Sequence, residues 1–452
     1  MAFTLPTPAE IDDLRARLVE GSGDHLSDAE RIDLISSLER LKGAACAAQA
    51  VVTVRFDASQ RRVQAEQGVP ADKQGAGIAS QIALARRESA IKGSRYVGLA
   101  TTLVREMPHT LRALFAGDIN EWRATIIARE TATLSAEHRA GVDEMLAPML
   151  ARLGDAGIER EAKKLAYELD PASVLRRVRG AAKDRRVSIR PAPDTMSYLT
   201  GFLPVAQGVA VHAALTRHAD ALRSSGDPRS RGQIMADTLV ERVTGQARAD
   251  AVPVEIGLVM TDRALLGDDH APARIPGFGP VPAWLGRSLA RGADSLTDQA
   301  KAWVRRLYTS PKTGELVAMD SRRREFSGGL RHFLVLRDQV CRTPWCDAPI
   351  RHIDHPRRFA DGGETSAENS QGDCAACNYA KEAPGWSASP TRAGPGQPHT
   401  VTTRTPTGHV YVSTAPDPPG RRSNNDAALR QHTERSQSSP SPSRSSDSSW
   451  CA

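Results

Sequence analysis

Through the first half of the chain apolar residues recur three and four positions apart, the spacing that returns side chains to one face of an α-helix. The clearest start is Ser27-Asp-Ala-Glu30, a capping box, followed by Ile32, Ile35, Leu38 and Leu41 on one face, with the pattern continuing towards Phe56. The same period predicts helices near 79 to 116, 119 to 132, 135 to 168 and 206 to 224, and another over Arg231 to Val243 with Ile234, Leu239 and Val240. Strand-like pieces stand at Val187-Ser-Ile189, Met196 to Phe202 and Val254 to Met260. Phe278-Gly-Pro280-Val-Pro282 marks a turn before a helix around Trp284 to Leu289. After an N-terminal arm of residues 1 to 24, the stretch from 25 to 335 therefore reads as one α-rich domain with a few strands. No phosphate-binding glycine loop, nucleophile elbow or paired-carboxylate motif stands out in it.

Beyond 335 the pattern changes. Four of the six cysteines fall in a window of 37 residues, as Cys341-Arg-Thr-Pro-Trp-Cys346 and Cys374-Ala-Ala-Cys377. Two such pairs supply the four thiolates of a tetrahedral structural zinc site, the first pair lying at the wide end of the usual spacing. A disulfide framework requires an exported chain, and Met1-Ala2-Phe3-Thr4-Leu5-Pro6-Thr7 lacks a basic region followed by an apolar run. A redox pair at Cys374 and Cys377 would leave Cys341 and Cys346 unexplained. Cys46 and Cys451 have no partner by spacing.

Between the pairs the sequence predicts a short strand at Arg351 to His355, a turn at Asp361-Gly362-Gly363, a polar stretch to Asn369 and a short helix from about Cys374 to Lys381. This is a hairpin leading into a helix. So few large apolar side chains cannot hold the segment by burial alone, and a zinc ion binding with roughly 10 to 16 kcal/mol would replace a core. Adjacent strand residues point to opposite faces, so Asp354 and His355 can serve one site only where the strand ends or bulges, and Pro356 supplies such a break.

The order Asp354-His355, Asn369, Cys374-x-x-Cys377-Asn378-x-x-Lys381 resembles the HNH endonuclease motif and its ββα-metal fold. The resemblance implies that Asp354 and Asn378 hold one divalent cation, Mg2+ or Mn2+, through hard oxygen ligands, with Zn2+ held separately by Cys341, Cys346, Cys374 and Cys377. It makes His355 the general base, since an imidazole with an ordinary pKa near 6.5 can take a proton from water close to neutral pH. The cation would stabilise charge on the scissile phosphate and the departing 3′ oxygen, leaving 5′-phosphate and 3′-hydroxyl ends. Asn369 would brace the loop and orient the base. Ser370 and Asp373 depart from the pattern, standing where aliphatic residues are usual. His352 reads as a polar strand residue or phosphate contact.

A longer-range pattern is similar to a set of actinobacterial proteins that join an N-terminal domain of unknown function to a C-terminal HNH module, the mycobacterial REP-type repeat proteins among them, often linked with mobile elements. It runs through Leu203-Pro204, Asp227-Pro-Arg229-Ser-Arg231-Gly-Gln233-Ile-Met-Ala236-Asp237, Gly277-Phe-Gly279-Pro280, Arg324-Glu-Phe326 and Leu336-Arg337-Asp338-Gln-Val-Cys341. The expectation is an α+β chain, mostly helical over 25–335, with a small zinc-stapled HNH domain at 336–390, a hairpin appendage at 391–415 turned at Pro406-Thr-Gly408, and a disordered tail from 416 to 452.

Charge points to a polyanionic partner. The net charge is +7 and the isoelectric point about 9.2. Residues 301 to 331 carry eight Lys and Arg against three acids, and residues 175 to 190 carry seven against Asp184 alone. Arg351, Arg357, Arg358 and Lys381 surround the motif and are expected to follow a DNA backbone, most naturally a double-stranded one. No run approaches a membrane span, so the expectation is a cytoplasmic protein, nucleoid-associated when bound to DNA. Two other readings stay open from sequence: a non-catalytic zinc-containing DNA-binding or mobile-element accessory protein, and a nuclease acting on RNA.

Overall fold

A computed structural model describes residues 5–21, 24–249, 258–267, 269–291, 326, 328–391 and 398–416. The first residues of the N-terminal arm, most of the basic run 301–331, part of the strand expected at 254–260, Cys451 and the tail beyond Pro416 lie outside them. The described part is mostly helical, with small antiparallel sheets.

Helix α1 (Pro8–Glu20) opens on a capping box between Thr7 and Glu10, and α2 (Asp28–Glu66) on the one expected between Ser27 and Glu30. At 39 residues α2 is about 58 Å long and runs ten residues past Phe56. Its buried face differs from the expected one. Ile32 and Ile35 are 66% and 62% exposed, whereas Gly43, Ala47, Ala50 and Thr53 are buried. Small side chains decide this, because they let another backbone approach. A Cβ on Gly43 would stand 2.9 Å from the Leu114 carbonyl oxygen.

Against α2 pack α4 (Ala90–Glu106) and α5 (Pro108–Ala116), with α3 (Ile78–Ala85) and α6 (Glu121–Glu130) touching it less, and α7 (Ala136–Leu146) and α8 (Asp155–Leu169) pack in turn on α5 and α6. Leu103, Met107, Leu114, Ile127, Val142, Leu146, Leu150 and Ile158 form one core. The buried carboxylate of Asp143 accepts hydrogen bonds from His109 N (2.7 Å) and Thr110 N (2.8 Å), satisfying orphan donors at the start of α5. Helix α9 (Pro171–Ala181) leads to an antiparallel ribbon of β1 (Arg186–Pro191) and β2 (Ser197–Phe202), then to α10 (Val205–Ser224) and α11 (Arg231–Thr244). Next come α12 (Asp262–Leu266), the hairpin β3 (Ala273–Ile275) and β4 (Gly279–Val281), and α13 (Ala283–Arg291), so the expected turn at Phe278–Pro282 includes a strand. Val259 makes an isolated bridge to Arg274.

The C-terminal part is built from α14 (Gly328–Asp338), β5 (His352–Asp354), β6 (Gln371–Asp373), α15 (Ala375–Lys381) and the strands β7 (Ser387–Thr391), β8 (Thr400–Arg404) and β9 (Val410–Thr414). Strands β5 and β6 pair antiparallel, with Asp354 opposite Gln371. The hairpin expected within 391–415 forms from β8 and β9, and β7 joins it as a third strand in the order β7-β8-β9. Helix α14 runs across residue 335, where the sequence divided two domains, and its Leu330 and Leu334 pack with Phe326 and Ala367. Among the described residues no helix is long and apolar enough to cross a membrane.

Candidate metal and catalytic centre

The four cysteines of the window meet. Their sulfurs all lie within 4.8 Å of one another and all four residues are buried. Cys346 Sγ is 3.7 Å from Cys374 Sγ and 3.6 Å from Cys377 Sγ. A regular tetrahedron with ~2.3 Å zinc–sulfur bonds has edges of about 3.8 Å. The set could hold a structural metal such as zinc, and none of the four forms a disulfide. Hydrogen bonding within the cluster splits the thiols, drawing Cys346 down through Cys341 and pushing Cys341 up through Cys346. A divalent cation would remove that competition by deprotonating every ligand. Cys374 also caps α15, its Sγ accepting from Cys377 N at 3.4 Å.

Part of the helical region builds this centre. Ala90, the first residue of α4, shares one buried cluster with the four cysteines. Leu84 at the end of α3 packs on Ala383 and Trp386, and Thr407 Oγ1 donates to Gln81 Oε1 at 3.0 Å. Gly77, with φ +77°, lies so close that a Cβ would stand 2.5 Å from Trp386 Nε1. Nothing in the sequence linked Gly77, Leu84 and Ala90 to residues some 300 positions away.

A buried ionic network holds the knuckle around Cys341. Asp338, fully buried, accepts from Arg337 Nε (2.7 Å), Arg342 Nη1 (2.8 Å) and Gly372 N (2.7 Å). Burial alone would raise the Asp338 pKa; the Arg337 and Arg342 guanidiniums outweigh it and hold the carboxyl below its ordinary value. Arg342 continues to Ser413 O (2.8 Å) and His399 O (3.1 Å), tying the knuckle to the terminal sheet. The spacing Asp338-x-x-x-Arg342 was the one signal in the sequence that could have found this pair.

Beside the cysteines, the residues singled out between the pairs come together on two elements. Strand β5 stops at Asp354, so His355 lies just past the last ladder pair and the alternation of faces no longer constrains it. The His355 ring is buried, 4.5 Å from the Phe326 ring and 5.7 Å from that of Phe359, and its Nε2 is 2.9 Å from Thr365 Oγ1. Asn369 braces the loop that holds this histidine. Its Oδ1 accepts from Arg357 N (2.9 Å) while its Nδ2 donates to Arg357 O (3.0 Å) and Glu364 O (2.9 Å). Gly363 must be glycine here, since a Cβ would overlap the Arg357 carbonyl and stand 2.7 Å from Asn369 Nδ2.

Helix α15 packs on β5 and presents Asn378 and Lys381 one turn apart, on the same face. Lys381 was expected to follow a DNA backbone. Instead it is buried, its ammonium paired with Asp354 and donating to His355 O at 2.6 Å. Two oxygens here are buried without a hydrogen bond, Asp354 Oδ2 and Asn378 Oδ1; the first has the Lys381 ammonium against it in ion-pair contact. That leaves Asn378 Oδ1 as the oxygen with neither donor nor cation, an uncommon state for a buried amide oxygen.

Of the basic residues named from sequence, Arg351 and Arg357 are exposed, Arg357 donating to Asp361 O at 3.0 Å. Arg358 pairs with Glu382 at 3.4 Å. His352 sits opposite Asp373 with its ring 5.9 Å from that of Tyr379. Ser370 and Asp373, the two departures from the aliphatic pattern, are buried and partnered: Ser370 Oγ donates to Ala367 O (2.8 Å), and Asp373 Oδ2 accepts from Gln371 Nε2 (2.8 Å). Burial pushes the Asp373 carboxyl up to about 7. Sequence reasoning missed Thr365 and Trp386, and it named Phe326 only within the long-range pattern, with no link to His355, because tertiary packing alone brings these residues to the site.

No curated protein and no solved structure matches the chain. Residues 35–338, about two thirds of the sequence, match the model of a domain of unknown function, DUF222. The matched segment covers the helical bundle, the β1–β2 ribbon and α14 up to the buried Asp338, and the chain therefore belongs to the DUF222 family.

Proposed function

We propose that the C-terminal module is a metal-dependent HNH-type endonuclease that hydrolyses phosphodiester bonds of double-stranded DNA. The observation that carries this reading is the buried Asn378 Oδ1, which has no hydrogen-bond partner, on the helix that packs against β5, whose last residue is Asp354 and which is followed by the buried His355. A carboxylate and an amide oxygen are hard donors suited to Mg2+ or Mn2+, whereas the sulfur cluster suits Zn2+, so the two donor sets sort two different metals. The Lys381 ammonium on Asp354 marks the place where this chain already balances the carboxylate with positive charge.

In this reading the divalent ion, when bound, supplies charge stabilisation at the scissile phosphate and the departing oxygen. His355 takes the proton of the attacking water, its ring held by Phe326, Phe359 and Thr365. Asn369 acts as a positioning residue, fixing the 357–364 loop through three hydrogen bonds to backbone atoms. The zinc cluster substitutes for an apolar core under α15 and so keeps Asn378 beside β5. The accessory, non-catalytic reading drew on Ser370 and Asp373, and both are accommodated by hydrogen bonds.

The test is a titration of zinc-loaded protein with Mn2+, followed by plasmid conversion in the same samples. Binding of Mn2+ and nicking, both lost in Asp354→Asn and Asn378→Ala with zinc content unchanged, support the proposal. Nicking that survives both substitutions refutes it.

A further inference from the structure

The β1–β2 ribbon has two unlike faces. Directly opposed residues of an antiparallel pair share a face, so Arg186 with Phe202, Ser188 with Thr200 and Arg190 with Tyr198 lie on one side. The other side carries Val187, Ile189 and Leu199. Every residue of both strands is exposed, and neither strand contains an acidic side chain. On the first face each aromatic ring supports a guanidinium: Arg186 Cζ is 4.8 Å from the Phe202 ring centroid and Arg190 Cζ is 4.2 Å from that of Tyr198. The ribbon is entered from α9, whose Arg176 and Arg179 are exposed, as is Lys183 just beyond it.

We propose that this arginine-bearing face is a second nucleic-acid contact, lying in the major groove of duplex DNA. A two-stranded ribbon fits that groove, which is about 12 Å wide. Strands of six residues span about 20 Å, enough to follow the groove past several phosphates. The guanidiniums lie over the ring faces and occupy the surface on which an unpaired base would stack, which favours a duplex over a single strand. The hydroxyls of Ser188 and Thr200 lie between the two arginine pairs as donors to phosphate or base edges. A lone two-stranded hairpin is marginally stable in water, so engagement of one face by a partner also gives the ribbon a reason to persist. The inference concerns binding alone and does not need the cleavage reading.

The test measures anisotropy of a short labelled duplex with the full zinc-loaded chain, without added Mg2+ or Mn2+ so that no cleavage intervenes. Arg186→Ala with Arg190→Ala is expected to weaken binding roughly tenfold and to lower the slope of log K against log salt by about 2. A charge-matched control, Arg15→Ala with Arg17→Ala on α1, is expected to keep most of the slope. Four results would overturn the proposal: no duplex binding by wild type, equal losses in the two variants, tighter binding of single-stranded DNA or RNA than of duplex, or a ribbon variant that changes only the oligomeric state. Because every substituted side chain is exposed, unchanged circular dichroism is expected throughout. Nicking activity can fail while these results hold, and the reverse, so the two readings are separable.

Discussion

Asp338→Ala tests whether the C-terminal module depends on one buried ionic knot. The carboxylate is fully buried and accepts from Arg337, Arg342 and Gly372 N, while the Arg342 side chain is only 2% exposed. Removing the acid strands a guanidinium in the interior, and breaking a buried pair costs about 3–5 kcal/mol. The lost acceptor for Gly372 N adds roughly 1 kcal/mol, since part of the cost is shared. With a urea dependence of about 2 kcal/mol per molar, a loss of ~5 kcal/mol moves the unfolding midpoint down by about 2.5 M. Fluorescence of Trp345 and Trp386 in the module reports the transition. The sharper expectation concerns a second substitution. Asp338→Ala with Arg342→Met removes the stranded charge as well, and is expected to be more stable than Asp338→Ala alone. A midpoint for Asp338→Ala within about 0.5 M of wild type, or a double variant less stable than the single one, would show that the reasoning about Arg342 is wrong.

Three further expectations follow from other parts of the module. Cys374→Ser is expected to abolish zinc binding and the thiolate-to-metal absorption expected on loading with cobalt, and to melt α15; full metal retention would remove the four-sulfur site from the account. His399 is held to about 4 by burial and by Arg337, with Arg342 adding to it, so the folded chain keeps a neutral imidazole while the unfolded chain binds a proton below about 6.5. Stability from this group is therefore complete above that value and lost as pH falls towards 4, about 2 kcal/mol by pH 5. Urea midpoints of wild type should drop more steeply between pH 7 and 5 than those of His399→Gln, and parallel lines would contradict it. Gly77→Ala sets a side chain at positive φ and 2.5 Å from Trp386 Nε1, and is expected to cost about 1–3 kcal/mol and to alter Trp386 emission. Unchanged emission and stability would mean that α3 does not seat on the module.

The sequence was most legible where local chemistry decides structure. The Ser27–Glu30 box, α6, α10, α11, both strands of the ribbon, β5 and α15 stand where periodicity and capping put them, while the stretch expected near 79–116 divides into α3, α4 and α5 and that near 135–168 into α7 and α8. The cysteine cluster was equally open to reading, because few arrangements explain two close pairs. What failed was any inference about which face is buried. The apolar row Ile32 to Leu41 looked like a core face, yet α2 packs through Gly43, Ala47 and Ala50, since close helix contact selects small residues rather than large ones. Lys381 looked like a surface cation from its neighbours in sequence, and only the turn of α15 towards β5 brings it onto Asp354. The seating of Gly77, Leu84 and Ala90 against Trp386 and the cysteines had no local signature at all.

The central claim is tested most directly by cleavage of an end-labelled duplex with zinc-loaded wild type and His355→Ala, each with Mg2+, beside a binding measurement on the same samples. The account predicts metal-dependent cleavage leaving 5′-phosphate and 3′-hydroxyl ends, lost in His355→Ala while zinc content and DNA binding persist. Binding without cleavage by fully zinc-loaded wild type, or equal cleavage by the two proteins, would contradict it.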